Sequence, residues 1–212
     1  MENNKIHKYF YDFDLTFLLK YYIQVGDEEV LIKIIRLYTN LALDMDLGKK
    51  LCRNSQFKKV LNYLSSENEE LVLNTMAFLA NYTYFKVEDN VFLKELDYIK
   101  QVFQGIMTDH EEITTQGIRI ICNISNTRAG KALITQDGLH LKMILAMMGH
   151  PGRDVVYYSC CILLNVSCSY NTLSSDLEFL CKIRQEWSQD QEISHLFRLL
   201  TKDMTRAKRV LL

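Results

Sequence analysis

The sequence predicts an all-α solenoid of about four repeats, and three observations predict it. An asparagine recurs at residues 40, 81, 123 and 165, at intervals of 41, 42 and 42 residues, each time inside a similar amphipathic segment. An acidic residue stands 11 positions before each of them: Glu29, Glu70, Glu112 and Asp154. The 212 residues include 1 proline and 8 glycines at 48% hydrophobic content, which favours helix throughout and leaves enough apolar surface for a continuous core. A period of ~40–47 residues made of helices marks stacked units, each burying its apolar face against the next. The organisation read from this is one elongated domain, 1–212. It has a partial repeat at 1–26, repeats at 27–68, 69–110, 111–152 and 153–189, and a cap with a basic tail at 190–212.

The elements follow in order. Phe13, Phe17, Leu18, Tyr21, Tyr22 and Val25 lie at helical spacing, and Gly26-Asp27 ends that helix. It matches the second half of a repeat, so the rings of Phe17, Tyr21 and Tyr22 are expected to meet a partner, another copy or residues 1–12. Repeat one places a long helix over Glu28–Leu43, a break at Asp44-Met45-Asp46, a short helix with Gly48-Lys49-Lys50-Leu51, and a third helix over Phe57–Leu64. Repeat two has its long helix at Glu69–Phe85, an interruption at Asp89-Asn90 and a closing helix at Leu96–Met107. In repeat three the long helix is Glu111–Asn126, and Gly130-Lys131-Ala132-Leu133 echoes the glycine motif of repeat one. The turn Asp137-Gly138-Leu139 leads into Leu141–Met148, and Gly149-His150-Pro151-Gly152 stops that helix. Repeat four runs its long helix from Arg153 to Cys168 and closes with Asp176–Trp187. A fifth long helix begins near Asp190-Gln191-Glu192, with Ile193, Leu196, Phe197 and Leu200 at helical spacing and Asp203 in the asparagine's place.

Positions 0, −4, −7 and −11 from each asparagine share one helix face. They are Asn40, Arg36, Lys33 and Glu29; Asn81, Ala77, Asn74 and Glu70; Asn123, Arg119, Gln116 and Glu112; Asn165, Cys161, Tyr158 and Asp154. The other faces supply the expected core: Val30, Leu37 and Leu41; Leu71, Phe78 and Tyr82; Ile113, Ile120 and Ile124; Val155, Ile162 and Val166. A polar stripe repeated four times becomes a ladder along the concave wall of a solenoid. An asparagine amide carries a donor and an acceptor, so it can pair with one residue of an extended peptide, or equally with a neighbouring loop carbonyl that it orders. The candidate partner-binding residues are therefore Asn40, Asn81, Asn123, Asn165, Arg36, Arg119, Lys33, Gln116, Asn74 and Tyr158. Arg36, Arg119 and Lys33 form a basic strip suited to an acidic extended segment of a protein partner.

Other chemistries find little support in the chain. With 25 basic and 26 acidic residues the net charge is −1, which gives no drive toward nucleic acid or an anionic membrane. No apolar run reaches the ~18 residues of a membrane span. The opening MENNKIHKYFYDFD has no signal-peptide core, so a cytoplasmic chain is expected. The 6 cysteines read as small buried hydrophobes, without CxxC spacing, and no metal or cofactor is expected. Asn81-Tyr82-Thr83, Asn123-Ile124-Ser125 and Asn165-Val166-Ser167 match the glycosylation sequon but lie inside amphipathic helices. No Gly-rich phosphate loop and no nucleophile–base spacing is present, so no catalytic residue is named and the reading is not an enzyme.

The three-helix unit, its asparagine and the Gly138-Leu139 turn resemble the armadillo family over residues 13–205. The resemblance implies a right-handed superhelix with a peptide-binding groove. Peptide-import members of that family carry a tryptophan four positions before the asparagine. Here Arg36, Ala77, Arg119 and Cys161 stand there, so a nuclear-localisation-signal receptor is disfavoured. ELVLNTMAFLANYTYFKVEDNVFL at Glu70–Leu93, and the segments Ile121–Ser125 and Ile162–Cys168, resemble the armadillo repeat-containing protein 2 family. That resemblance implies an axonemal subunit or adaptor for radial-spoke assembly in motile cilia. A general cytosolic peptide-binding adaptor is the alternative.

Overall fold

The computed structural model describes residues 21–22, 27–52, 57–85, 91–136, 138–166 and 177–210; for 203–210 it is the backbone that is described. Among the described residues there are eleven α-helices and no strand. They are α1 (Glu28–Leu41), α2 (Met45–Cys52), α3 (Phe57–Leu61), α4 (Glu69–Tyr84), α5 (Leu96–Gly105), α6 (Glu111–Ile124), α7 (Arg128–Thr135), α8 (Leu139–Met147), α9 (Arg153–Val166), α10 (Leu177–Glu186) and α11 (Gln191–Val210). Two 3₁₀ turns, Asn62–Ser65 and Val91–Lys94, extend α3 and precede α5. The partial repeat apart from Tyr21 and Tyr22, the Asp89-Asn90 break, Asp137 and Cys168 fall outside the described residues.

The long helices are α1, α4, α6, α9 and α11, and their starts are written in the sequence. Thirteen positions before Asn40, Asn81, Asn123 and Asp203 stand Asp27, Asn68, His110 and Asp190. Each side chain accepts a bond from a first-turn N–H: Asp27 from Val30 at 3.1 Å, Asn68 from Glu70 at 3.0 Å, His110 from Ile113 at 3.4 Å and Asp190 from Ile193 at 3.0 Å. Each bond satisfies an amide that a helix start would otherwise leave open, and a good cap contributes about 1 kcal/mol. The acidic residues two positions later favour the positive end of the same helices.

The chain divides into two compact units, Met1–Val102 and Phe103–Leu212. In the first, α1 packs along α4, and α2 and the turn after α3 pack on α4. Its core is aromatic. Phe78 of α4 lies 6.2 Å from Tyr38, 6.4 Å from Phe57 and 6.5 Å from Tyr82, ring centre to ring centre. Leu31, Ile35, Leu47, Leu61, Leu71, Leu79 and Phe92 are buried in the same unit. In the second unit α6 packs along α9 and α9 along α11, with α7 and α8 on α9 and α10 on α11. Its core is mainly aliphatic: Ile113, Ile118, Ile120, Ile121, Ile124, Val155, Ile162, Leu163 and Ile193, with Phe103 and Phe197 as buried rings.

The predicted core phase holds at Leu41, Leu71, Phe78, Tyr82, Ile113, Ile120, Ile124, Val155, Ile162 and Val166, all buried. It fails at Val30 and Leu37, which are half-buried. In the next repeat the position of Leu37 is held by Phe78, which is covered by Tyr38 and Phe57 of the repeat before it. The stretch before α1 lies largely outside the described residues. The core of α1 is carried instead by Leu31, Ile32, Ile34, Ile35 and Tyr38.

Helix α8 begins at Leu139, two residues earlier than expected. Gly138 adopts φ 71°, the left-handed conformation that favours glycine, and so sets the helix start. The echo between the two glycine motifs is out of register by one residue. Asp44 accepts from the Leu47 N–H at 3.0 Å, and Thr127, at the same distance from its asparagine, accepts from the Gly130 N–H at 3.0 Å. The structural counterpart of Gly130 is therefore Leu47, not Gly48.

Candidate protein-binding face

On α1 the four ladder positions, Glu29, Lys33, Arg36 and Asn40, are exposed. On α6 and α9 the positions nearest the asparagine are half-buried: Gln116, Arg119 and Asn123, then Tyr158, Cys161 and Asn165. On α4, Asn81 is half-buried and Asn74 is buried. The stripe thus lies on a solvent-reached side of α1, α6 and α9, and on α4 Asn74 is sunk into the seam.

The structure shows what the seam residues touch. Arg36 reaches from α1 to α4, where its Nε donates to Asn74 Oδ1 at 3.2 Å and its Nη2 lies 2.5 Å from Glu70 Oε1. Asn74 Nδ2 donates to the Glu70 carbonyl at 2.7 Å, so both ends of that amide are engaged. Asn81 Nδ2 donates to the backbone carbonyl of Thr39 at 2.9 Å. That carbonyl belongs to the last turn of α1, where the final carbonyls lack intrahelical donors, so Asn81 caps the preceding long helix. In the second unit the carbonyl one before the asparagine is that of Cys122. Ser125 Oγ donates to it at 2.6 Å and Asn126 Nδ2 at 3.1 Å, and Asn165 Nδ2 donates in turn to Ser125 Oγ at 2.8 Å. Both asparagines therefore order the repeat before them, one directly and one through a serine. Each such bond uses one of the amide's two N–H groups.

Arg119 behaves unlike Arg36. Its Nη1 donates to Gln116 Oε1 at 2.6 Å on its own helix. Tyr158 stands edge-on to Tyr157, with ring centres 5.4 Å apart. Lys33 lies two turns before Asn40 on the exposed face of α1.

Two constellations were not read from the sequence. Arg153, in the first turn of α9, donates from Nε to Asp190 Oδ2 at 2.7 Å and from Nη2 to Glu192, and its guanidinium lies 5.8 Å from the Tyr157 ring centre. It thereby ties α9 to the N-terminus of α11. The Ile193 N–H and then Arg153 hold the Asp190 carboxyl below its ordinary value. The second is a thiol pair. Cys161 shares a side-chain hydrogen bond with Cys122 and accepts a second from Tyr157, and together these hold its thiol below the usual range although burial opposes them. The Cys122 thiol is pushed up by the same bond and by burial. A usable signal lay in the separations. Seam contacts recur 34 to 42 residues apart, as in Arg36–Glu70 and Asn81–Thr39, and Cys122 and Cys161 fall in that window.

Among the described residues no helix is long and apolar enough to cross a membrane. No group of three or more histidine, cysteine, aspartate or glutamate side chains is placed to hold a metal ion.

The long-helix, short-helix, closing-helix unit with its capping asparagine is the armadillo repeat, and comparison with solved structures bears this out. A computationally designed armadillo repeat protein for modular peptide recognition superposes with a TM-score of 0.74 at 17% identity, covering 89% of this chain and 80% of that one. A designed armadillo repeat protein solved in complex with the peptide (KR)4 superposes with a TM-score of 0.73 at 15% identity, again over 89% and 80%. The fold is therefore all-α and of armadillo type. In sequence the chain is similar to Armadillo repeat-containing protein 2. It is 27% identical to the Bos taurus protein and 25% identical to the Homo sapiens protein, each over 146 residues and 66% of this chain. It spans 17% of the length of those relatives. No family model matches the chain.

Proposed function

We propose that the chain is a non-enzymatic scaffold that binds an acidic, extended segment of a protein partner along its ladder face. The observation that carries this reading is the state of Arg119. It lies on the stripe and is half-buried, and its bond to the neutral Gln116 leaves its charge without a carboxylate partner among the described residues. A guanidinium in that position favours bidentate pairing with an incoming carboxylate. Arg36 is already paired with Glu70, so a partner there would share or displace an exposed ion pair worth little by itself. Asn81 and Asn165 each retain amide capacity beyond the bond to the preceding repeat, and a peptide backbone can use it. The designed armadillo repeat protein solved in complex with the peptide (KR)4 supports peptide recognition by this fold, with charge opposite to that proposed here. The similarity to Armadillo repeat-containing protein 2 supports a place in the ciliary axoneme, as a subunit or adaptor in radial-spoke assembly.

The test uses labelled (Glu-Asp)4 and (Lys-Arg)4 peptides in fluorescence anisotropy at low and high salt. The acidic peptide is expected to bind the wild-type chain, with salt weakening it. Arg119→Glu is expected to weaken it by about tenfold, the loss of one charge-assisted bond. Asn123→Ala is expected to weaken it less. Preference for the basic peptide, or unchanged affinity in both folded variants, removes the reading. The ciliary part is tested by locating the tagged chain in motile cells: enrichment along the axoneme supports it, and exclusion from the cilium overturns it.

A further inference from the structure

We propose that Cys122 and Cys161 are a modification site: a reversible disulfide, formed by a peroxide, that fastens repeat three to repeat four beside the ladder. The placement comes first from helix register. Helices α6 and α9 pack along one another, and the bond from Asn165 to Ser125 Oγ at 2.8 Å fixes how they are aligned. One turn before Asn165 stands Cys161, and one turn before Ser125 stands Cys122. The alignment that joins the first pair therefore brings the second pair together, and the two thiols share a hydrogen bond. A disulfide closes that contact to ~2.05 Å between the sulfurs.

The two cysteines divide the chemistry between them. Cys161 is half-buried and reached by solvent, whereas Cys122 is 9% exposed. Hydrogen bonds from Cys122 and Tyr157 favour the Cys161 thiolate, the form that attacks a peroxide. The Cys161 sulfur displaces hydroxide from hydrogen peroxide, breaking the O–O bond and forming a sulfenic acid. The Cys122 sulfur then attacks the Cys161 sulfur, and the S–OH oxygen leaves as water with the Cys122 proton. In balance, two thiols and one peroxide give one disulfide and two waters. The two electrons lost by sulfur reduce the peroxide. The other described thiols are placed differently. Cys160 is buried with its sulfur 3.9 Å from Met148 Sδ, Cys52 is buried, and Cys181 is exposed on α10.

The experiment treats the full chain, carrying Cys181→Ser to suppress links between molecules, with one to two equivalents of hydrogen peroxide. Thiols are counted and a non-reducing digest is read by mass spectrometry. The expected result is loss of two thiols per chain, one cross-linked peptide joining Cys122 to Cys161, and full recovery with dithiothreitol. Cys161→Ser, at a half-buried position, is expected to abolish the link with its helical circular dichroism unchanged. Sulfinic acid at Cys161 without a link, a link to another cysteine, or no loss of thiols overturns the proposal. The peptide map of the parent Cys181→Ser chain decides the matter even where the Cys161→Ser variant fails to fold.

Discussion

Two seams between long helices, α1 with α4 and α6 with α9, solve one problem with different materials. Each must close the last turn of one helix and hold the next helix against it. In the first seam an ion pair and an amide do this directly: Arg36 on Glu70 and Asn74, and Asn81 on the Thr39 carbonyl. In the second, Arg119 stays on its own helix and a thiol pair makes the cross-seam contact, while Asn165 reaches its carbonyl through Ser125. Their interiors differ in the same sense. A cluster of Tyr38, Phe57, Phe78 and Tyr82 lies between α1, α3 and α4 in the first unit, while isoleucines and valines line the faces of α6 and α9 in the second. The corner after the long helix shows the consequence. A methyl group on Gly130 would lie 2.0 Å from the Ile124 carbonyl oxygen, whereas the equivalent corner of the first unit accommodates the whole buried side chain of Leu47. The repeat therefore conserves a task, capping the preceding helix, rather than a set of contacts.

The largest effect expected from this contrast lies at the corner. Gly130→Ala forces α7 away from the end of α6, and overpacking of this kind costs roughly 1–3 kcal/mol or more, because the obstacle is backbone. Gly48→Ala meets Ala42 and Tyr82 at 3.6 Å and 3.7 Å, ordinary contact, and as a helical glycine it is expected to gain up to about 1 kcal/mol. Urea denaturation of both variants checks the pair. Similar stabilities for the two would erase the difference between the corners. The next effect separates the asparagines. Asn81→Ala strips the donor from a helix-end carbonyl and is expected to cost about 1–2 kcal/mol. Asn165→Ala leaves the Cys122 carbonyl still served by Ser125 and Asn126, and is expected to cost about half as much. Equal losses would show that the serine relay adds nothing.

The repeat was legible because its signals are local and periodic. Asp27, Asn68 and Asp190 announce helix starts, and the spacing of the asparagines gives the phase of the long helices. Leu37 was misjudged because burial depends on the repeat before it, which a helical period does not contain. The glycine echo misled because Gly48-Lys49-Lys50-Leu51 and Gly130-Lys131-Ala132-Leu133 match as strings, while the caps Asp44 and Thr127 align Gly130 with Leu47. Of the candidate face, the stripe of each helix was readable but not the direction in which its long side chains turn. Arg36 crosses a seam and Arg119 stays on its own helix, although both stand four positions before an asparagine.

The smallest expected effect sharpens the comparison at the arginines. Arg36 meets the first two turns of α4, whereas Arg153 meets the cap of α11 itself, since Asp190 both accepts from the Ile193 N–H and pairs with Arg153. The Asp190 carboxyl titrates below its ordinary value in the folded chain, first because of the Ile193 N–H and then because of Arg153. A depressed carboxylate stabilises the fold fully above its unfolded value, about 3.9, and that contribution disappears as pH falls through the folded value. Asp190→Asn retains the cap, since asparagine caps as well as aspartate, and removes the charge. The melting midpoint of the variant is therefore expected to sit slightly below that of wild type from pH 5 to 8, and the two curves should converge only as pH falls through the depressed folded value, below which the carboxylate is protonated in either state. Added salt should narrow the gap at pH 7, because the guanidinium and both carboxylates reach solvent. A gap that persists unchanged once the pH lies below the folded value would assign the loss to a disturbed cap, and Arg153 would then be a surface ornament of α9 rather than its tie to α11.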